Sequence, residues 1–265
     1  MSWSYGDDKN AYGSLELNIS GVMMKPTVII YGASGAIGSA TAKMLYNRGF
    51  SVHLVGRNQE KLESLGNDLN AEITIGDVTD QNLFKRVNDD AGSDIRGIVY
   101  AVGTINLGSI RKFKEADFLL DFKVNALGAA MAVQSALTKL KKNKQISSIV
   151  LFSSVAAQRG FSMHTSIGMA KGAVNGLTRS LAAELSPKIR VNAISPSVTQ
   201  TPLAEKILSN KLMAESIKKK HPLNRLGTRE DIARLAAFLI SEDAGWITGQ
   251  IIGVDGGRST IEVSG

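Results

Sequence analysis

The chain has 265 residues, 43% hydrophobic and 21% charged, a balance that suits one large globular domain and excludes a disordered chain. With no cysteine and only three histidines, His53, His164 and His221, disulfides, thiolate chemistry and a histidine-rich metal centre are excluded, and no metal site is expected. The net charge of +7 is scattered apart from Lys139, Lys141, Lys142 and Lys144 and the run Lys218–Lys220. Both clusters read as helix C-terminal charges, so no nucleic-acid partner is expected. No apolar run reaches the ~18 residues of a membrane span, and the cytoplasm is the expected location.

Residues 1–24 carry no sustained helix or strand period and read as a flexible extension or leader, ahead of a single domain over 25–265. Thr27 to Tyr31 is an apolar strand, the turn Gly32-Ala33-Ser34-Gly35-Ala36-Ile37-Gly38 follows, and Ile37, Ala40, Thr41, Met44 and Leu45 then repeat at helical spacing. Further strands are expected at Ser51–Val55, Ala71–Ile75, Gly97–Val102, Ser148–Phe152, Ile189–Ile194 and Ile251–Val254, each separated by a helical segment. The strongest helical segments are Glu115–Lys142 and His164–Leu185, and a helical lid is expected over Pro202 to Lys219. Alternating helices and nearly unbroken apolar strands predict an α/β fold: a Rossmann-type, doubly wound sheet of seven parallel strands with helices on both faces. Such sheets bind ligands at their strand carboxyl ends.

The glycine-rich turn closes the first strand and opens the first helix, where free backbone N–H groups can hold a pyrophosphate. Gly32, Ser34, Gly35, Ile37 and Gly38 are therefore candidate dinucleotide contacts. A carboxylate that takes ribose hydroxyls usually ends the second strand; Gly56 stands there instead, followed by Arg57, whose guanidinium suits a 2′-phosphate. NADP(H) is the expected cofactor. Asp77 and Val78, after the third strand, fall at the adenine edge, although Asp77 and Asp80 compete as the cap of the next helix.

Together with Asn125, Ser153-Ser154, Lys171, Asn192, Pro196, Thr201 and the tail Val254-Asp255-Gly256-Gly257, the glycine loop and Asp77 make the chain resemble the short-chain dehydrogenase/reductase family from Lys25 to Gly257. The resemblance implies hydride exchange between a nicotinamide cofactor and a carbonyl or alcohol, with a small-molecule substrate and a homotetramer or homodimer. It also implies Ser154, Lys171 and Asn125 as catalytic residues, and Ala101, Gly103, Lys171, Pro196, Val198, Thr199 and Thr201 as cofactor contacts. The family's tyrosine, four residues before the lysine, is replaced by Ile167, and Tyr100-Ala101-Val102-Gly103 and Ser197 also depart from its pattern. Isoleucine cannot donate a proton, so the donor must be atypical.

His164 lies seven residues before Lys171 and on nearly the same helix face, the place where the enoyl-acyl carrier protein reductases of the family carry their tyrosine. Three readings follow: a carbonyl reductase with an unusual acid, an enoyl-type reductase using His164, or an inactive NADP(H)-binding sensor or partner subunit. An apolar pattern of Leu203, Ile207, Leu208, Leu212 and Ile217 in the expected lid suits a hydrophobic substrate and equally suits ordinary packing.

Overall fold

Seven short runs rich in β-branched residues form the strands β1 (Thr27–Tyr31), β2 (Ser51–Gly56), β3 (Ile73–Ile75), β4 (Ile95–Tyr100), β5 (Ser147–Phe152), β6 (Ile189–Pro196) and β7 (Ile251–Val254) in the computed structural model, which describes residues 25–262. They pair in parallel in the order β3-β2-β1-β4-β5-β6-β7, the doubly wound arrangement expected from the alternation of strands and helices. Successive strand residues point to opposite faces. Ile29 and Tyr31 therefore join Ile98, Tyr100, Ile149 and Leu151 in one core layer, while Val28 and Ile30 join Val99, Val150 and Ile194 in the other. Burial on both faces explains why these strands are largely apolar.

The helices α1 (Ala36–Asn47), α2 (Gln59–Leu69) and α3 (Gln81–Asp90) connect the first half of the sheet. In the second half, the segment 115–142 expected as one helix is helical without interruption, its α-helical pattern broken only by a π-helical turn (Lys123–Leu127) between α4 (Glu115–Phe122) and α5 (Gly128–Lys142). The break has a packing cause: a Cβ on Gly128 would lie 2.1 Å from Tyr100 Oη, and that hydroxyl donates to the Val124 carbonyl at 2.7 Å. A wide turn opens the carbonyl to a partner outside the helix. Helix α6 (Thr165–Leu185) follows, with His164 at its N-cap.

The expected lid consists of a 3₁₀ turn (Pro202–Ala204), α7 (Glu205–Leu208) and α8 (Lys211–Lys219); α9 (Arg229–Ile240) then returns the chain toward β7. Just beyond α8, His221 is joined through Nε2 to Ser197 Oγ at 2.8 Å, tying this region to the end of β6. Lys139, Lys141 and Lys142 sit in the last turn of α5 and Lys218 and Lys219 in that of α8, where cations suit the helix dipole, and Lys139 Nζ also donates to the carbonyls of Asn88 and Gly92. Among the described residues no helix is long and apolar enough to cross a membrane.

Candidate active site

The winding reverses between β1 and β4, the switch point at whose strand carboxyl ends sheets of this kind carry their ligand crevice. The glycine loop forms one wall. Gly32 has φ of +81°, and a Cβ there would lie 2.7 Å from the Ala101 carbonyl oxygen; a Cβ on Gly38 would lie 2.2 Å from the Gly32 carbonyl oxygen. These close approaches admit glycine alone. Gly32 and Ala33 donate their N–H groups to the Val55 carbonyl at 2.8 and 3.0 Å, which fixes the loop to the neighbouring strand. Gly35 caps α1 without a side-chain hydrogen bond, leaving the positive helix end for an anion. Ser34 stands in the loop itself, and Ile37 and Gly38 in the first turn of α1. This cradle fits a dinucleotide pyrophosphate.

Arg57 and Asp77 leave the ends of β2 and β3 and meet as an ion pair at 3.2 Å, with the arginine side chain largely exposed. Burial works to raise the Asp77 pKa, but hydrogen bonds from Thr79 and Arg57 outweigh it and hold the carboxyl below its usual range. Asp80 takes the capping role at α3 by accepting from the Asn82 N–H at 3.0 Å, so Asp77 is free of that duty. Val78 beside it is buried.

Behind β4 and β5 lies the polar centre of the crevice. Lys171, on α6, is buried and donates from Nζ to the Phe152 carbonyl at the end of β5 at 2.8 Å. Burial pushes its pKa down to about 8, opposed by the Asp121 carboxylate. A Cβ on Gly103 would meet Asn125 Oδ1 at 2.9 Å and Lys171 Nζ at 3.3 Å, so these three residues share one spot. Asn125 lies in the π-helical turn and donates from Nδ2 to Thr104 Oγ1 and to the Asp121 main-chain carbonyl, both at 2.8 Å. Ser154, just after β5, accepts from the Ala156 N–H at 3.1 Å, which leaves its own hydroxyl hydrogen for another acceptor.

The third side of the crevice is the chain leaving β6. Pro196 ends the strand, Val198 and Thr199 pair with Gly227, and Thr201 Oγ1 donates to the Thr199 carbonyl at 3.4 Å. His164 stands at the start of α6, with Nδ1 2.7 Å from the Ser162 carbonyl and its ring 5.5 Å from that of Phe161. A carbonyl oxygen only accepts, so Nδ1 carries the hydrogen and the neutral ring has a bare Nε2. Ile167 is buried in the first turns of α6.

Sequence reasoning missed one group. Asp121 is fully buried one helical turn before Asn125, where it accepts from Thr104 Oγ1 (2.5 Å), Asn106 Nδ2 (2.7 Å) and Ser166 Oγ (2.5 Å). Its spacing of four from Asn125 was the only local signal. Among the described residues no cluster of His, Asp and Glu could hold a metal ion.

The family profile described as enoyl-(acyl carrier protein) reductase matches residues 32–259. A tropinone reductase homolog of Arabidopsis thaliana is 33% identical over 241 residues, covering 87% of this chain and 91% of the relative. A 3-oxoacyl-(acyl-carrier-protein) reductase of Rickettsia felis is 32% identical over 233 residues, with 87% and 95% coverage. Among solved structures, a short-chain type dehydrogenase/reductase from Mycobacterium ulcerans superposes with a TM-score of 0.83 at 29% identity, covering 89% of this chain and 90% of that one. The fold, the crevice and these likenesses agree: the chain belongs to the short-chain dehydrogenase/reductase family, whose members are oxidoreductases that use a nicotinamide cofactor.

Proposed function

We propose that the protein is a cytoplasmic, homotetrameric NADP(H)-dependent oxidoreductase that acts on a carbonyl or alcohol, with its proton supplied by a group other than tyrosine. The observation that carries the reading is the shared position of Gly103, Asn125 and the buried Lys171 beside a glycine cradle fit for a dinucleotide. Gly32, Ser34, Gly35, Ile37 and Gly38 would hold the pyrophosphate, Asp77 and Val78 the adenine edge, and Ala101, Lys171, Pro196, Val198, Thr199 and Thr201 the nicotinamide half. When bound, the cofactor supplies or accepts the hydride. Arg57 supports the phosphorylated form, because its guanidinium already holds an anion, Asp77, and no acid stands at Gly56.

On the substrate side, the Ser154 hydroxyl donates to the reacting oxygen, and the positive charge on Lys171 stabilises negative charge developing there. Asn125 orients solvent toward Lys171. One relative is a 3-oxoacyl-(acyl-carrier-protein) reductase and another a tropinone reductase homolog, which favours reduction as the working direction. A second reading has one specific support. The matching profile is described as an enoyl reductase, and a protonated His164, its Nδ1 engaged with Ser162, would still present an Nε2–H to an enoyl thioester.

NADPH consumption measured over ketones, quinones and enoyl thioesters separates these readings. Turnover of ketones that survives His164→Ala is the expected result; turnover of enoyl thioesters alone, lost in that variant, supports the second reading, and no turnover leaves a binding protein. Nicotinamide fluorescence titrations should show NADPH binding more tightly than NADH, with Arg57→Ala weakening NADPH by about tenfold or more through loss of a charged hydrogen bond. Equal affinities in the wild type would refute the cofactor assignment.

A further inference from the structure

Asp121 is a carboxylate fully removed from water, and a buried charge costs several kcal/mol unless its surroundings compensate it. The compensation comes from three side chains that converge on it from separate parts of the chain, Thr104 and Asn106 on Oδ1 and Ser166 on Oδ2. No arginine is among these partners. The cation it acts on is Lys171, whose charged form it favours against the opposing effect of burial.

The same carboxylate sets the local geometry. Thr104 spends its one hydroxyl hydrogen on Asp121, so its oxygen is left to accept from Asn125 Nδ2. Ser166, adjacent to Ile167, ties the first turn of α6 to α4 through Asp121 Oδ2. The other faces around Lys171 are uncharged: the Phe152 carbonyl from β5, Gly103 after β4, and Asn125 in the π-helical turn. Of the titratable groups on the elements packed nearby, Lys123 is exposed, Tyr100 donates to the Val124 carbonyl, and His164 is engaged with the Ser162 carbonyl.

We propose that Lys171 is itself the proton donor of this site and that Asp121 is the positioning residue that keeps it protonated. The proposal rests on the reductase reading above and names its missing acid. The proton leaves Lys171 Nζ for the substrate oxygen, directly or through one water, as the substrate carbon receives the hydride that the nicotinamide supplies. One N–H bond breaks and one O–H bond forms, the C=O double bond becomes single, and the neutral amine recovers its proton from solvent water. A lysine whose proton comes off near neutrality is suited to this work, whereas a solvent lysine at ~10.4 would hold its proton too firmly.

The test is read first without cofactor. Lysine ¹³Cε resonances are followed through a pH titration of the cofactor-free protein, with Lys171 assigned by its disappearance in Lys171→Met. A wild-type midpoint near 8 is expected. Asp121→Asn should lower it by a pH unit or more, whereas Ser166→Ala, which cuts the same link between α4 and α6 but keeps the charge, should move it far less. If the asparagine variant does not fold, Asp121→Ser, which also removes the charge and keeps one acceptor oxygen, serves the same comparison. Because the protonated amine is the working form, kcat/KM for reduction should fall as pH rises through the wild-type midpoint, and Asp121→Asn should shift that limb to lower pH by the same amount. A Lys171 midpoint with the bulk lysines, or one indifferent to Asp121, overturns the pairing. A rate limb that disappears in His164→Ala overturns Lys171 as donor while leaving the reductase reading intact. An expected titration in a protein that consumes no NADPH with any substrate overturns the reductase reading, and the donor role with it.

Discussion

His53 is a buried base in the middle of β2, and its hydrogen bonds define its tautomer. Thr74 Oγ1 donates to Asp90 Oδ2 at 2.7 Å, so it can only accept from His53 Nε2 at 2.8 Å, leaving Nδ1 as a buried acceptor without a partner. Burial pushes the His53 pKa from 6.5 down to about 4, with Asp90 opposing. Between those values the unfolded chain binds a proton that the native chain refuses. Stability is therefore full above about pH 6.5 and is lost as pH falls toward 4, by about 3 kcal/mol in total. Urea unfolding between pH 7 and 4 should show that slope, and His53→Gln, which keeps a donor for Thr74 without titrating, should flatten it; an unchanged slope would exclude His53 as the cause. Residues of this kind were the least legible in the sequence. Ser154, Asn125 and Lys171 are marked by position within motifs, whereas Asp121 stands beside Leu119, Leu120, Phe122 and Lys123 and reads as one more polar residue of an ordinary helix. Its burial depends on donors at positions 104, 106 and 166, which no local pattern connects.

The strands were legible because most of their residues are buried and apolar, and all seven occur where the apolar runs predict them, with shifts of a few residues at their ends. The break between α4 and α5 was not, because its cause lies on β4. Gly128 continues a helical pattern in the sequence, and only Tyr100 Oη, occupying the space of its missing Cβ, excludes a continuous α-helix with an ordinary side chain there. The two positions should be energetically coupled. Gly128→Ala should destabilise by about 1–3 kcal/mol through overpacking. Tyr100→Phe alone should cost about 1–3 kcal/mol by leaving the buried Val124 carbonyl without its hydroxyl donor. In the Tyr100→Phe background the alanine should be tolerated better, so chemical denaturation of the double variant should show less than the sum of the two losses. Strict additivity would mean that the hydroxyl does not impose the break. The break matters to the site because Asn125 lies within it.

At the level of the whole molecule, the outer surface of α4 and the adjoining turn exposes Leu119, Leu120, Phe122 and Leu127, and Met169 is exposed on α6, which packs against α4. Exposed apolar side chains on neighbouring helices are a natural seat of subunit contact. Sedimentation at micromolar protein should give the proposed tetramer, and Phe122→Glu should yield a smaller species; a wild-type monomer would refute the assembly. The strand order has a different consequence, which arises before the chain is complete. Strand β1 sits inside the sheet, with β2 on one side and β4 on the other. Translation at ~5–20 residues per second delivers β2 soon after β1, but Ile95 follows Tyr31 only after an interval on the order of ten seconds. Throughout that interval the β4-facing edge of β1 is an uncovered row of backbone donors and acceptors beside Val28, Ile29 and Ile30. A nascent chain caught at this length can complete the row with a neighbour on the same polysome, so shielding by the ribosome or a chaperone until β4 emerges is part of what this topology requires of the cell.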